Sequence, residues 1–302
     1  MKDIVYVEHQ YYVSSKQNSI RFVNLVTKEE RFMPFDDVEW LVFDDERSYF
    51  SKQLMTACSK NNIGVLFCDQ KHSPLTVLNT DFGHSKRLVR LKDQINLDAK
   101  TKNRLWRKIV IAKIMNQAEC VANETKQFKE KEYLKIIGKK VTEGDKMNQE
   151  AHAARLYFSF LFGKGFRRGR FQDAINASLN YGYALLRAEI RRQIAFHGLE
   201  PSIGIHHESS ENPFNLSDDF IEAYRPFVDA LVYEHIYREN VMVLNLAEKK
   251  KLLGIFFEKC VIDGKVYTVT DAIGITVSSY VQCLEQYSAA PLKLPQMIEV
   301  GR

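Results

Sequence analysis

Hydrophobic and polar residues alternate in short runs through about the first 80 positions of the chain. Runs rich in β-branched and aromatic residues, separated by polar turn residues, predict strands. They fall at residues 4–7, 11–13, 20–23, 31–35, 38–43, 63–67 and 75–78. A helix is predicted at residues 51–60, because Leu54, Met55 and Cys58 recur at helical spacing.

The pattern changes at about Lys86, where hydrophobic residues begin to recur every three or four positions. We therefore predict a mainly helical remainder, with one hairpin at residues 261–267 because Asp263-Gly264 separates two apolar runs. Polar and glycine residues at 80–85 interrupt both patterns. The predicted fold class is α+β with two domains: a small N-terminal β-sheet domain at residues 1–82, a sandwich or roll, and a larger, mainly α-helical domain at residues 83–302.

Composition adds limits on the class of protein. The 302 residues are 45% hydrophobic and 27% charged, as in soluble globular proteins. The five cysteines are odd in number and widely separated, which indicates neither a disulfide framework nor a zinc knuckle. This cysteine usage fits a reducing compartment, so we expect a cytoplasmic protein. No run approaches the roughly 20 apolar residues of a membrane span.

The net charge of +5 is modest, but lysine and arginine are bunched. Lys164, Arg167, Arg168 and Arg170 alternate with glycines and predict a flexible cationic loop that binds phosphates. The lysine-rich run at residues 126–140 is mixed with glutamates and is interpreted as a solvated helix face.

Glu150 is the first candidate functional residue. It lies in a strong helix-forming segment, on one face with Ala154, Tyr157 and Leu161. That face should be buried, so a carboxylate there needs a partner or a bound cation. The alternative is a surface glutamate favoured by the positive end of the helix dipole.

A histidine pair, His206-His207, follows an apolar turn and precedes a polar loop suited to line a cleft. Ser217 is then predicted to cap a helix that places Asp219 and Glu222 on one face, with Arg225 on the next turn. Two carboxylates and an imidazole would suit Mg²⁺ or Mn²⁺. The same residues would also fit a surface ion-pair set, and Arg225 would either hold a phosphate oxygen or pair with Glu222.

Four separated blocks together resemble a known family. They are Glu150–Phe158, Asn176–Tyr183, Gly198–His207 and Asn215–Pro226, and their order and spacing are similar to those of the CRISPR-associated spacer-acquisition integrase and endonuclease, the "Cas one" family, in its type II-like version. The resemblance implies a metal site made of Glu150, His207 and Glu222. His206, Asp218 and Asp219 stay open as alternative or additional ligands.

The resemblance also implies an activity and partners. The protein would insert short double-stranded DNA fragments into a repeat array by attack of a 3′-hydroxyl on a phosphodiester, as a homodimer that dimerises through the N-terminal domain. It would work with the small partner subunit of the adaptation complex and use Mg²⁺ or Mn²⁺. Arg167, Arg168, Arg170 and Arg225 would contact nucleic acid. The alternatives are an inactive DNA-binding scaffold and a metal-dependent nuclease on RNA or branched DNA.

Overall fold

The computed structural model describes residues 2–70, 72, 74–78, 85–169 and 173–299. The chain divides into two compact units, residues 1–82 and 83–302. Residues 80–84, where the sequence pattern breaks, lie outside the described residues, as does Arg170.

The first unit contains eight strands, one α-helix and a short 3₁₀-helix at Phe35–Asp37 among its described residues. The strands and the α-helix are β1 (Asp3–Val7), β2 (Tyr11–Lys16), β3 (Ser19–Asn24), β4 (Glu30–Pro34), β5 (Val38–Phe43), β6 (Tyr49–Phe50), α1 (Lys52–Lys60), β7 (Gly64–Cys68) and β8 (Pro74–Leu78). The predicted strands and the predicted helix are confirmed. Sequence reasoning missed β6, a two-residue strand defined by its parallel pairing with β2.

Two four-stranded sheets make up this unit, with strand orders β1-β5-β7-β8 and β4-β3-β2-β6. The first is parallel except for the β7–β8 pair, and the second is antiparallel except for the β2–β6 pair. Val13, Ile20, Leu41 and Leu54 are buried in one apolar core with residues of both sheets and α1. Ser51 caps α1 by accepting a hydrogen bond from the Leu54 amide at 3.1 Å.

The second unit is mainly helical, as predicted. Its helices are α2 (Arg87–Asn96), α3 (Ala99–Thr125), α4 (Phe128–Lys139), α5 (Gln149–Phe162), α6 (Ala174–Phe196), α7 (Asn215–Ile221), α8 (Arg225–Val232), α9 (Leu246–Leu252) and α10 (Val269–Glu285). A π-helical turn at Tyr233–Tyr237 extends α8. The long helix α3 packs against α4, α5 and α8, so a side chain on α3 can reach residues from several parts of the chain.

A small antiparallel sheet completes the unit, with strand order β10-β9-β11. Its strands are β9 (Lys259–Ile262), β10 (Lys265–Thr268) and β11 (Gln296–Met297). The predicted hairpin is confirmed, and its turn residues Asp263 and Gly264 both have positive φ angles of 49° and 72°, which suit an Asp-Gly hairpin turn. The short strand β11 was not predicted.

Two local predictions were wrong. Ser217 does not cap a helix: α7 already begins at Asn215, and the Ser217 hydroxyl donates to the carbonyl of Phe214 at 2.8 Å. The lysine-rich run is not a uniformly solvated face, because Lys131 is buried and its ammonium lies 2.8 Å from Glu119 and 2.6 Å from Glu299. Since α4 packs against α3, one side of this run faces the protein interior. Within the described residues, no helix has the length and apolar character needed to cross a membrane.

Candidate metal centre

Glu150 lies in the first turn of α5, where the start of the helix is fixed by two polar side chains. Asn148 accepts a hydrogen bond from the Ala151 amide at 3.3 Å. The buried Asp145 carboxylate accepts from the amides of Gln149 and Glu150, both at 2.9 Å. These bonds satisfy the first amides of the helix and hold the backbone of Glu150 in place.

Glu222 lies in the turn that joins α7 to α8, and it is almost completely buried. Its Oε1 accepts a hydrogen bond from Arg225 Nε at 2.8 Å. Its Oε2 accepts from the ammonium of Lys113 on α3. Burial opposes ionisation of Glu222, but the charges of Lys113 and Arg225 outweigh burial and lower the pKa of this carboxyl. Glu222 is therefore an anion held from two sides.

Lys113 also reaches Glu150, because its Nζ lies 2.6 Å from Glu150 Oε1. The lysine is buried, and the two carboxylates raise its pKa against the opposing effect of burial. Glu150 and Glu222, which the sequence separates widely, thus share one cation. The prediction that Glu150 needs a partner is confirmed. Sequence reasoning missed the partner itself, although a lysine inside the apolar segment 109–114 was a signal.

The imidazole of His207 is oriented by Asp219. His207 Nδ1 lies 2.8 Å from Asp219 Oδ1. Asp219 is fully buried and also accepts from the backbone amides of Ile205, His206 and His207, at 2.5, 3.2 and 3.1 Å. A carboxylate acceptor requires the proton on Nδ1, which in the neutral ring leaves the lone pair on Nε2. The Asp219 hydrogen bond raises the pKa of His207 despite its partial burial.

His206 is held differently from its neighbour. Its ring stacks on the indole of the buried Trp106, with 4.2 Å between the centroids and 5° between the planes. The other acidic candidate, Asp218, accepts hydrogen bonds from Arg187 at 2.9 Å and from Asn212 at 2.7 Å. Asp218 and Asp219 are thus both engaged with other protein groups, and Asp219 acts on the His207 ring and loop.

The candidate ligands for a divalent cation are the carboxylates of Glu150 and Glu222 and the imidazole of His207. Two carboxylates already converge on one positive charge. Among the described residues, no three His, Cys, Asp or Glu side chains are arranged as a ready ligand group. The carboxylates and the imidazole fit Mg²⁺ or Mn²⁺ chemically, while the Lys113 ammonium lies between the carboxylates.

The predicted nucleic-acid contacts fall in different environments. Arg225 pairs with Glu222, as in the second of the two roles considered for it from the sequence. Its guanidinium also lies 4.4 Å from the centre of the Tyr183 ring. Arg168 donates to Asn176 at 2.9 Å and to Asn180 at 2.7 Å. Arg167 is exposed. DNA binding by these arginines, and by Arg170 outside the described residues, stays a prediction.

Comparison with known proteins identifies the family. A family model described as CRISPR associated protein Cas1 matches residues 4–258. The chain belongs to the Cas1 family. The resemblance inferred from the four sequence blocks is confirmed, and the predicted fold class is confirmed as well.

Similar proteins and structures extend over most of the chain. A CRISPR-associated endonuclease Cas1 from Neisseria meningitidis serogroup C (strain 8013) is 34% identical over 272 residues, which cover 89% of this chain and 88% of that protein. A casposase bound to an integration product shares the Cas1 fold with a TM-score of 0.74 at 18% identity, covering 95% of this chain and 91% of the other. A chain in a Cas6-RT-Cas1–Cas2 complex gives a TM-score of 0.70 at 15% identity. The match covers 100% of this chain and 36% of that one.

Proposed function

We propose that this protein is a metal-dependent DNA integrase and endonuclease of CRISPR adaptation. It would insert short double-stranded DNA fragments into a repeat array. Membership of the Cas1 family and the endonuclease name of the Neisseria relative support this activity class. The observation that carries the proposal is the convergence of Glu150 and Glu222 on one positive charge. The third proposed ligand, His207, has its Nδ1 held by a buried carboxylate.

The proposed ligands of Mg²⁺ or Mn²⁺ are Glu150, Glu222 and Nε2 of His207. When bound, such a metal polarises a phosphodiester and stabilises the charge that develops during attack by a 3′-hydroxyl. The protein groups hold the ligands in position: Asp145 fixes the first turn of α5, Asp219 orients the imidazole, and Arg225 fixes one oxygen of Glu222. These contacts constrain the backbone of Glu150, the ring of His207 and one oxygen of Glu222.

Substrate and partners are proposed with the same activity. The matched casposase is bound to an integration product, and another matched structure is a Cas6-RT-Cas1–Cas2 complex. We propose double-stranded DNA fragments and repeat DNA as substrates, the small subunit of the adaptation complex as partner, and a homodimer formed through the N-terminal unit, residues 1–82. The exposed Arg167 is proposed to contact DNA phosphate.

Glu150→Gln tests this function, because it keeps the shape of the side chain and removes its charge. The variant should lose strand transfer of a labelled fragment into a repeat-containing plasmid, with Mn²⁺ and the partner subunit present, and keep salt-sensitive DNA binding. Integration by the variant would remove Glu150 from the mechanism. An inactive wild-type protein that still binds DNA would indicate a scaffold, and cleavage of RNA or branched DNA without integration would indicate a nuclease of different substrate choice.

A further inference from the structure

We propose that Lys113 is a positioning residue that occupies the cation position between Glu150 and Glu222, and that a divalent metal binds by displacing its ammonium. The inference rests on the proposed metal-dependent function and deepens it. Lys113 would have two effects. It would hold the two carboxylates together before a metal binds, and it would lower the affinity for that metal by competing for the same oxygens.

The assembling effect follows from burial and charge. Glu222 is buried, Glu150 is partly buried, and the Lys113 ammonium contacts one oxygen of each. Two carboxylates brought together in a partly buried site repel each other unless a cation lies between them. Arg225 neutralises only the other oxygen of Glu222. Lys113, which lies on α3, therefore links Glu150 on α5 to Glu222 in the α7–α8 turn.

The competing effect follows from the identity of the contacted atoms. A divalent cation bound by both carboxylates would use oxygens at about 2.0–2.6 Å. Glu150 Oε1 already lies 2.6 Å from the Lys113 Nζ. An ammonium and a divalent cation at the same oxygens would repel strongly in such a site. Lysine has a flexible four-carbon stem, so its ammonium can withdraw while the Arg225 contact with Glu222 stays in place.

Lys113→Met tests the competition, since methionine keeps an unbranched side chain and removes the charge. A matched control exists in Lys131→Met, because Lys131 is also a buried lysine between two glutamates, Glu119 and Glu299. Binding of Mn²⁺ to the full-length protein without DNA is measured by electron paramagnetic resonance titration. We expect the Kd of the Lys113 variant to fall at least about tenfold, and that of the Lys131 variant to stay within about twofold of wild type.

An unchanged or weaker affinity in Lys113→Met would overturn the inference, and so would equal tightening in both variants. Glu150→Gln separates this failure from failure of the proposed function. If wild type binds Mn²⁺, Glu150→Gln abolishes that binding and Lys113→Met has no effect, only the role of Lys113 is lost. If Glu150→Gln leaves Mn²⁺ binding unchanged, the metal site itself is wrong and both proposals fall.

A second measurement uses the wild-type protein and does not depend on the folding of a variant. Lysine acylation is quantified by mass spectrometry with and without saturating Mn²⁺. Displacement predicts that acylation of Lys113 rises at least about threefold with metal, because the ammonium leaves its two carboxylates. Lys131 should show no change. Equal acylation of Lys113 in the two states, while Mn²⁺ is bound, would show that the metal and the ammonium do not compete.

Discussion

The ring of His206 lies flat on the indole of Trp106, with 4.2 Å between their centroids, while the next residue in the chain is hydrogen-bonded to Asp219. The two adjacent histidines therefore have different surroundings. His207 has its Nδ1 directed to a buried carboxylate, and in the neutral ring its Nε2 is left with a lone pair for a metal. The flat stack on Trp106 gives His206 a packing contact instead.

This difference predicts unequal effects of two alanine substitutions. His207→Ala should reduce strand transfer at least about 100-fold, because it removes a proposed ligand. His206→Ala should reduce it only a few-fold and lower the free energy of unfolding by about 1 kcal/mol through loss of the aromatic contact. Both variants are assayed with Mn²⁺ and the partner subunit, and their unfolding is followed in urea. A larger loss of strand transfer from His206→Ala would show that His206, and not His207, is the ligand.

Gly204 should tolerate no side chain, because the His207 loop passes directly over it. A Cβ at this position would lie 2.2 Å from the carbonyl oxygen of His207 and 2.8 Å from Asp219 Oδ2. Gly204→Ala should therefore displace the loop that carries the imidazole. We expect about 1–3 kcal/mol lower stability and strand transfer reduced about tenfold or more.

The control for this substitution is Gly254→Ala, because a Cβ at Gly254 would meet no atom within 4 Å. It should leave strand transfer within about twofold of wild type, because the added methyl group meets no atom that would have to move. Wild-type activity in Gly204→Ala would mean that the loop does not position His207 for the reaction.

Elements encoded by neighbouring residues could be predicted from the sequence, whereas elements that depend on pairing with distant residues could not. The strands and the 261–267 hairpin are encoded by local alternation and by the Asp263-Gly264 turn, so they were predicted. The two-residue strands β6 and β11 exist through pairing with distant partners, Tyr49 with Tyr12 and Gln296 with Val261, and no local pattern marks them.

The candidate site shows the same division. The resemblance to a family supplied Glu150, His207 and Glu222 from their motif blocks. It did not supply Lys113, because the contacts of this lysine span 37 positions to Glu150 and 109 positions to Glu222. Such a contact depends on how α3 packs against α5 and α8. Hydrophobic periodicity gives the buried face of a helix but not the partner of a polar group on that face.

Asp229 should make the stability of the protein depend on pH. Burial raises the pKa of this carboxyl from 3.8 to about 6, although hydrogen bonds from Tyr183 and Tyr157 favour its charged form. The folded protein thus binds this proton more tightly than the unfolded chain does. The resulting stabilisation is complete below pH 3.8 and is lost as the pH rises through about 6.

Asp229→Asn should remove this dependence. Between pH 4 and pH 7 the free energy of unfolding of the variant should rise relative to that of wild type by about 2 kcal/mol, because the variant has no proton to lose at this position. Urea unfolding at the two pH values gives the difference. If the variant and wild type differ by the same amount at both, the carboxyl titrates with an ordinary pKa in the folded protein.

Arg167 and Arg168 are neighbours with different expected roles. Arg167 is exposed, whereas the Arg168 guanidinium donates to Asn176 and Asn180 at the start of α6. Arg167→Ala should weaken DNA binding and lower the slope of log affinity against log salt by about 1, through loss of one phosphate contact, without lowering the melting temperature. Arg168→Ala should instead lower the free energy of unfolding by about 1–3 kcal/mol, because two amide acceptors lose a charged donor. Fluorescence anisotropy across a salt series and urea unfolding separate the two effects. An unchanged salt slope in Arg167→Ala would remove this residue from the DNA interface.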